Sequence, residues 1–222
     1  MRTGVLLINL GTPDAPSPEA VGRYLREFLM DPFVIGSPNP LRWFLVNVLI
    51  VPKRKYQSAA AYQKIQMPGG SPLLVHTRAL GGKVAAELGD EKYALEYAMR
   101  YGNPSIASAL AKLRTQDVSR IIVLPLYPQF AESSFETAVV ETKKRAAELG
   151  YADRLTFLSV FYDRREYIDA FAHNVSDLSD TPIRPASTSK NAPHLSLLNF
   201  IRPPGSPITR WFCATLGPTA RS

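Results

Sequence analysis

The sequence predicts an α/β fold, a doubly wound parallel sheet of four strands flanked by helices, followed by a largely irregular C-terminal tail. Three observations carry this. Four short apolar runs, at residues 4–10 (GVLLINL), 93–99 (YALEYAM), 120–126 (RIIVLPL) and 155–161 (LTFLSVF), punctuate the first three quarters of the chain. GVLLINL and IIVLPL are nearly continuous rather than alternating, as strands covered by helices on both faces require. Between the runs lie segments of helical pattern long enough for crossover connections, and strand–helix–strand alternation of that kind gives a parallel sheet.

The helices announce their starts. Ser17-Pro18-Glu19 places an N-cap, a proline in the first turn and an acid ahead of AVGRYLREFLM. Ser71-Pro72 repeats the device before LLVHTRALGGKVAAELG, and Asn103-Pro104 before SIASALAKLRTQ. A further helix is expected from Ser134 to about Leu149, ended by Gly150. Ligands of such sheets sit at the carboxyl ends of the strands. The loops to watch are therefore Gly11-Thr12-Pro13-Asp14, Arg100-Tyr101-Gly102-Asn103-Pro104 and Tyr127-Pro128-Gln129-Phe130.

Residues 31–55 stand outside the alternation: a proline-punctuated entry, an apolar run that opens on Trp43 and closes on Val51, then Lys53-Arg54-Lys55. Two readings are open. One is a buried helix whose basic C-terminus complements the helix dipole. The other is an exposed lip for an apolar ligand or a shallow membrane contact, with Trp at the interface and basic residues facing lipid headgroups.

Composition bounds the rest. The 222 residues carry a net charge of +7, with one cysteine, Cys213, and 19 prolines. A single cysteine rules out a disulfide scaffold and a four-cysteine metal site within this chain. Seven of the prolines fall in residues 174–222, which contain no Glu and carry +3, leaving +4 on residues 1–173. With no basic stripe interleaved with aromatics, nucleic acid is not an expected partner. The N-terminal apolar run ends in a turn sequence rather than a cleavage site, and no apolar stretch reaches transmembrane length. A cytoplasmic protein is expected, membrane-associated at most through residues 43–51. The domain reading is 1–173 as the α/β domain and 174–222 as a Pro/Ser-rich tail without a packed core.

The strand-end loops also resemble a known family. GVLLINLGTPDAPSPEAVGRYLREFLMDP, then AYQKI with GGSPLL, then AMRYGNPSI, then VLPLYPQFAESSFET follow one another as in the ferrochelatases, which insert ferrous iron into a porphyrin. The resemblance covers residues 3–172 and corresponds to the first half of a typical member. It implies a chelatase-like, Rossmann-type half-fold. It also implies porphyrin and Fe²⁺ as substrates, no cofactor, and a porphyrin wall built from Leu10, Tyr62, Ser71, Arg100, Tyr101, Tyr127 and Gln129. Leu10 occupies a position where coproporphyrin-using members carry Tyr, and so points to protoporphyrin IX. A porphyrin is a flat apolar disc with carboxylates at one edge, which suits aromatic walls with a few Ser, Tyr or Arg donors at the rim. Metal insertion needs the macrocycle bent and its pyrrole protons accepted.

In the family that acceptor is a His in a Ser-Phe/Tyr-His-Gly-Leu/Ile-Pro run, and this sequence contains no such run. No catalytic or metal-binding residue is therefore assigned. His76 and His173 read as surface or packing histidines, and His194 and Cys213 as tail residues without a role. Glu132 and Glu136 sit in ESSFET, where the family commonly has STTGS, and read as exposed helix-start acids. The expectation is a lyase of haem biosynthesis by family, truncated before its catalytic residues, whose own activity is open. The alternative is a non-enzymatic porphyrin-binding or regulatory fragment. A shifted reading frame, missplicing or a natural paralogue would each account for the tail.

Overall fold

The computed structural model describes residues 2–179. The chain divides after Tyr167, and the first unit, Met1–Tyr167, holds the sheet. The second begins at Ile168, and its described residues, 168–179, continue a helix. Expectations for the tail beyond, including His194 and Cys213, lie outside the described residues.

β1 (Arg2–Thr12) is the centre of the sheet. Residues 4–8 are all buried, because β1 has strands on both edges and helices on both faces. It pairs in parallel with β2 (Tyr93–Gly102) on one side and β3 (Val118–Pro125) on the other. A short β4 (Leu155–Phe157) pairs with β3, giving the order β2-β1-β3-β4. The expected fourth strand, 155–161, is thus shorter than its apolar run. After Phe157 the chain turns away, and Phe161 and Tyr162 donate their backbone N–H groups to the Pro128 carbonyl, both at 3.0 Å.

Side chains alternate across the sheet. Leu6 and Ile8 of β1, Ala94 and Ala98 of β2, and Ile121 and Val123 of β3 form one core with α5 (Ile106–Thr115) and α6 (Thr137–Glu148). On the other side lie α1 (Pro18–Leu29), α3 (Val51–Ile65) and α4 (Pro72–Leu88), with α1 against α3 and α4 against β1 and β2. Ala20, Val21, Tyr24, Leu25 and Leu29 make the buried stripe of α1. Because β2 and β3 leave β1 in opposite directions, the strand order reverses between β1 and β3, which is where a doubly wound sheet opens a crevice.

Ser17 and Ser71 cap their helices as expected, accepting from the N–H groups of Ala20 and Leu74 at 3.3 Å. The third start is corrected: Ser105, not Asn103, caps α5, its hydroxyl accepting from Ser108 N–H at 3.2 Å, and Pro104 lies outside the helix. Gly89 and Gly150, with φ of +76° and +75°, follow α4 and α6 with the positive φ that glycine adopts without strain. α6 itself is preceded by a π-helical turn, Glu132–Glu136.

The segment around Trp43 departs most from the buried-helix reading. α2 (Asn39–Phe44) runs into a π-helical turn, Leu45–Ile50, and on into α3, so residues 39–65 form continuous helix. Lys53, Arg54 and Lys55 consequently lie near the start of α3, with no helix end there for their charges to complement. Val46 and Val51 are buried, whereas Leu41, Trp43, Phe44, Val48 and Leu49 are between 43% and 55% exposed. The apolar run is an exposed surface, held to the domain by one narrow stripe. Arg42 is anchored beneath it, donating to the carbonyls of Ile35 and Ser37 at 3.0 and 2.8 Å.

Candidate functional site

The carboxyl ends of β1 and β2 come together through glycine. Gly11 faces Tyr101 across the β1–β2 ladder, and Thr12 faces Gly102. A Cβ on Gly11, at φ +113°, would lie 1.8 Å from the Tyr101 carbonyl oxygen. One on Gly102, at φ +82°, would lie 2.8 Å from the Thr12 oxygen. Only residues without side chains allow this approach and this backbone conformation.

Around this junction stand four tyrosines. Tyr24, on the buried stripe of α1, donates its hydroxyl to the Gly11 carbonyl at 3.2 Å. Tyr62, from α3, reaches the Tyr24 hydroxyl. Tyr101 is fully buried at the end of β2, its ring edge-on to Phe28 at 5.1 Å between centroids. Tyr127 follows β3, close enough to feel Tyr101 and Arg100 electrostatically. Burial raises the hydroxyl pKa of all four, so they are neutral donors and acceptors at physiological pH.

Beside them lies a saturated polar network. Asp31, in the loop after α1, uses one carboxylate oxygen, Oδ2, for three donors. These are Arg100 Nη2 at 2.5 Å, Thr137 Oγ1 at 2.5 Å and the Tyr101 hydroxyl at 2.8 Å. Its other oxygen accepts from the Phe33 N–H at 2.8 Å. Arg100 Nε donates to Thr137 Oγ1 at 2.8 Å, and the guanidinium lies 4.4 Å from the centre of the Tyr101 ring. Asp31 and Thr137 are buried, and Arg100 is nearly so.

Three hydroxyls at this end of the sheet are different. Thr12 Oγ1, the Tyr127 hydroxyl and Ser134 Oγ are buried without a hydrogen-bond partner among the described residues. They come from the end of β1, the loop after β3 and the π-helical turn before α6.

Of the residues expected at the site, Tyr62, Arg100, Tyr101 and Tyr127 gather here. Leu10, at the end of β1, is half-buried, and the neighbouring Asn9 ties the strand to α4 through Thr77 at 2.9 Å. Ser71 is buried with its hydroxyl turned to its own helix as the α4 cap. Gln129 is half-buried in the loop after β3, outside the hydroxyl network. Sequence reasoning missed Asp31, Thr137 and Tyr24. The signal for Asp31 was an acid just past the C-terminus of an amphipathic helix, where the dipole disfavours negative charge. Among the described residues, no three His, Cys, Asp or Glu side chains gather as a metal site.

The ferrochelatase family model matches residues 2–190, running further into the tail than the motif blocks do. The chain belongs to the ferrochelatase family. It is 46% identical over 169 residues to a ferrochelatase of Coxiella burnetii (strain Dugway 5J108-111), covering 76% of this chain and 46% of that protein. It is 45% identical over 177 residues to a ferrochelatase of Chromobacterium violaceum, covering 78% and 49% respectively. The chain spans about half the length of these ferrochelatases. No helix among the described residues is long and apolar enough to cross a membrane.

Proposed function

We propose that this chain forms a porphyrin-binding wall of a ferrochelatase cleft, and that the reaction served is insertion of Fe²⁺ into protoporphyrin IX. The observation that carries the reading is the convergence of four neutral tyrosines and the half-buried Leu10 on the carboxyl ends of the strands, in a chain of this family. Such a surface offers a flat apolar macrocycle aromatic contact and a few hydroxyl donors without placing fixed charge against its face. The three unpartnered hydroxyls give it polar groups still able to bond a ligand. Leu10 keeps the end of β1 apolar, which favours vinyl over charged substituents and so protoporphyrin over coproporphyrin.

Absorbance titration of the chain with protoporphyrin IX tests binding. A Soret shift that saturates at one porphyrin per chain is the expected result, and no shift would sink the reading. Zinc-porphyrin fluorescence then tests turnover: a rate above background identifies a chelatase, while binding without turnover identifies a porphyrin-binding chain.

Peripheral membrane contact through the exposed residues Trp43, Phe44, Val48 and Leu49, flanked by Lys53–Lys55, is proposed as a second property of this chain. Co-sedimentation with anionic vesicles, lost in Trp43→Ser/Phe44→Ser, is the expected result. Equal sedimentation of both proteins would exclude this surface.

A further inference from the structure

Arg100 and Tyr101 are successive residues of β2, so their side chains leave opposite faces of the sheet. Arg100 accordingly meets Thr137 of α6 on one side, and Tyr101 meets Phe28 of α1 on the other. Yet both reach the same oxygen, Asp31 Oδ2, at 2.5 and 2.8 Å. An acceptor can be met from both faces only if it stands off the strand's carboxyl end, and the loop after α1 carries Asp31 there. Thr137 has its proton on Asp31 and a lone pair on Arg100 Nε, so it fixes the guanidinium against the carboxylate. The Phe33 N–H holds the second carboxylate oxygen and with it the rotation of the group.

The electrostatic result is specific. The tyrosines are held protonated, and the guanidinium charge of Arg100 is cancelled by direct contact. The two proposed substrates respond oppositely to charge: a free guanidinium would repel Fe²⁺ and attract porphyrin carboxylates, whereas a cancelled one does neither. We infer that Asp31 is a positioning residue that holds Arg100 as a neutral part of the porphyrin wall. It acts through Arg100 and not on the porphyrin. This rests on the porphyrin-binding reading above.

The test compares protoporphyrin IX with its dimethyl ester, which has the same ring without the negative charges, titrated against the full chain by absorbance. Asp31→Asn keeps the shape of the carboxylate but releases the Arg100 charge, and is expected to raise the preference for the dicarboxylate about tenfold. Asp31→Asn/Arg100→Met removes both charges and returns the preference to that of the wild type. Thr137→Val loosens the guanidinium with every charge retained and shifts the preference in the same sense by less, whereas Thr137→Ser leaves it unmoved. If Asp31→Asn does not fold, Thr137→Val against Thr137→Ser still decides. Equal weakening of both porphyrins in these variants would make the network purely structural and overturn the inference. A wild type that binds neither porphyrin removes the binding reading and the inference with it. The two failures are distinct, because the first leaves wild-type binding intact.

Discussion

The carboxyl end of the sheet contains two unlike polar regions within a few residues of each other. On the β2 side, the donors that reach Asp31 are all accounted for, and Thr137 both gives and accepts a hydrogen bond. In the other region, Thr12 at the end of β1, Tyr127 after β3 and Ser134 before α6 keep buried hydroxyls without partners in the described protein. A buried polar group that is satisfied rigidifies its surroundings, while an unsatisfied one costs free energy until something bonds to it. The first region therefore serves as scaffold and the second as the face that gains from a ligand. The porphyrin reading takes the unpartnered hydroxyls of the second region as donors to the ligand and the bonds of the first as what fixes Arg100 and Tyr101 in the wall.

Raising the pH is expected to have the largest effect, because it strikes both regions. The folded pKa values of Tyr24, Tyr62, Tyr101 and Tyr127 lie above the ordinary 10.0, so the fold holds the protonated forms. That contribution is whole below pH 10 and is lost as the pH rises from there toward the folded values. Tyrosinate absorbance for these groups should appear together with loss of the circular dichroism of the fold. Their ionisation near pH 10 in an intact fold would show that the cluster is open to water.

Next in size is Asp31→Ala, which leaves Arg100 buried and unpaired. A loss of about 3–5 kcal/mol in denaturant unfolding is expected, and a loss under ~1 kcal/mol would mean that the saturated region is not the scaffold. Thr137→Val, which removes one donor to Asp31 and one acceptor from Arg100, should cost about 1–3 kcal/mol. The smallest stability effect belongs to the other region: Tyr127→Phe removes a hydroxyl with no partner, and should change stability by less than about 0.5 kcal/mol or raise it. Its porphyrin affinity should nevertheless fall. If Tyr127→Phe destabilised as much as Thr137→Val, the distinction between the two regions would collapse.

Much of the fold was legible in the sequence because its signals are local. GVLLINL is apolar without alternation, and it became a central strand, with β2 and β3 on its edges and helices on both faces. Ser17 and Ser71 marked their helices because a cap needs only the next three residues. The helix through residues 39–65 was not legible. Pro52 interrupts the pattern, but the helix passes it by way of the π-helical turn Leu45–Ile50 that comes just before it. Its exposed apolar side chains also look, in sequence, like those of a buried helix.

At the site, Arg100, Tyr101 and Tyr127 were visible because strand-end loops are where such sheets bind. Asp31 and Thr137 were not, because their meaning lies in partners 69, 70 and 106 residues apart in the chain. Ser71 shows the converse. Its local signal as a helix cap is met in full, and because the hydroxyl only accepts in that bond, its proton is left for the donor role at the porphyrin rim that the resemblance implies.

The span of that network also sets an order of events during synthesis. Asp31 can meet Arg100 and Tyr101 once β2 has been made, but the bond to Thr137 closes a loop of 106 residues. Contacts of such separation form late, since the ordering entropy of the intervening chain comes first. Until β3 emerges, β1 lacks its neighbour on that side as well, and the apolar residues 4–8 stand uncovered on one edge. The nascent chain therefore carries an open strand edge through the making of more than a hundred residues, until β3 pairs with it.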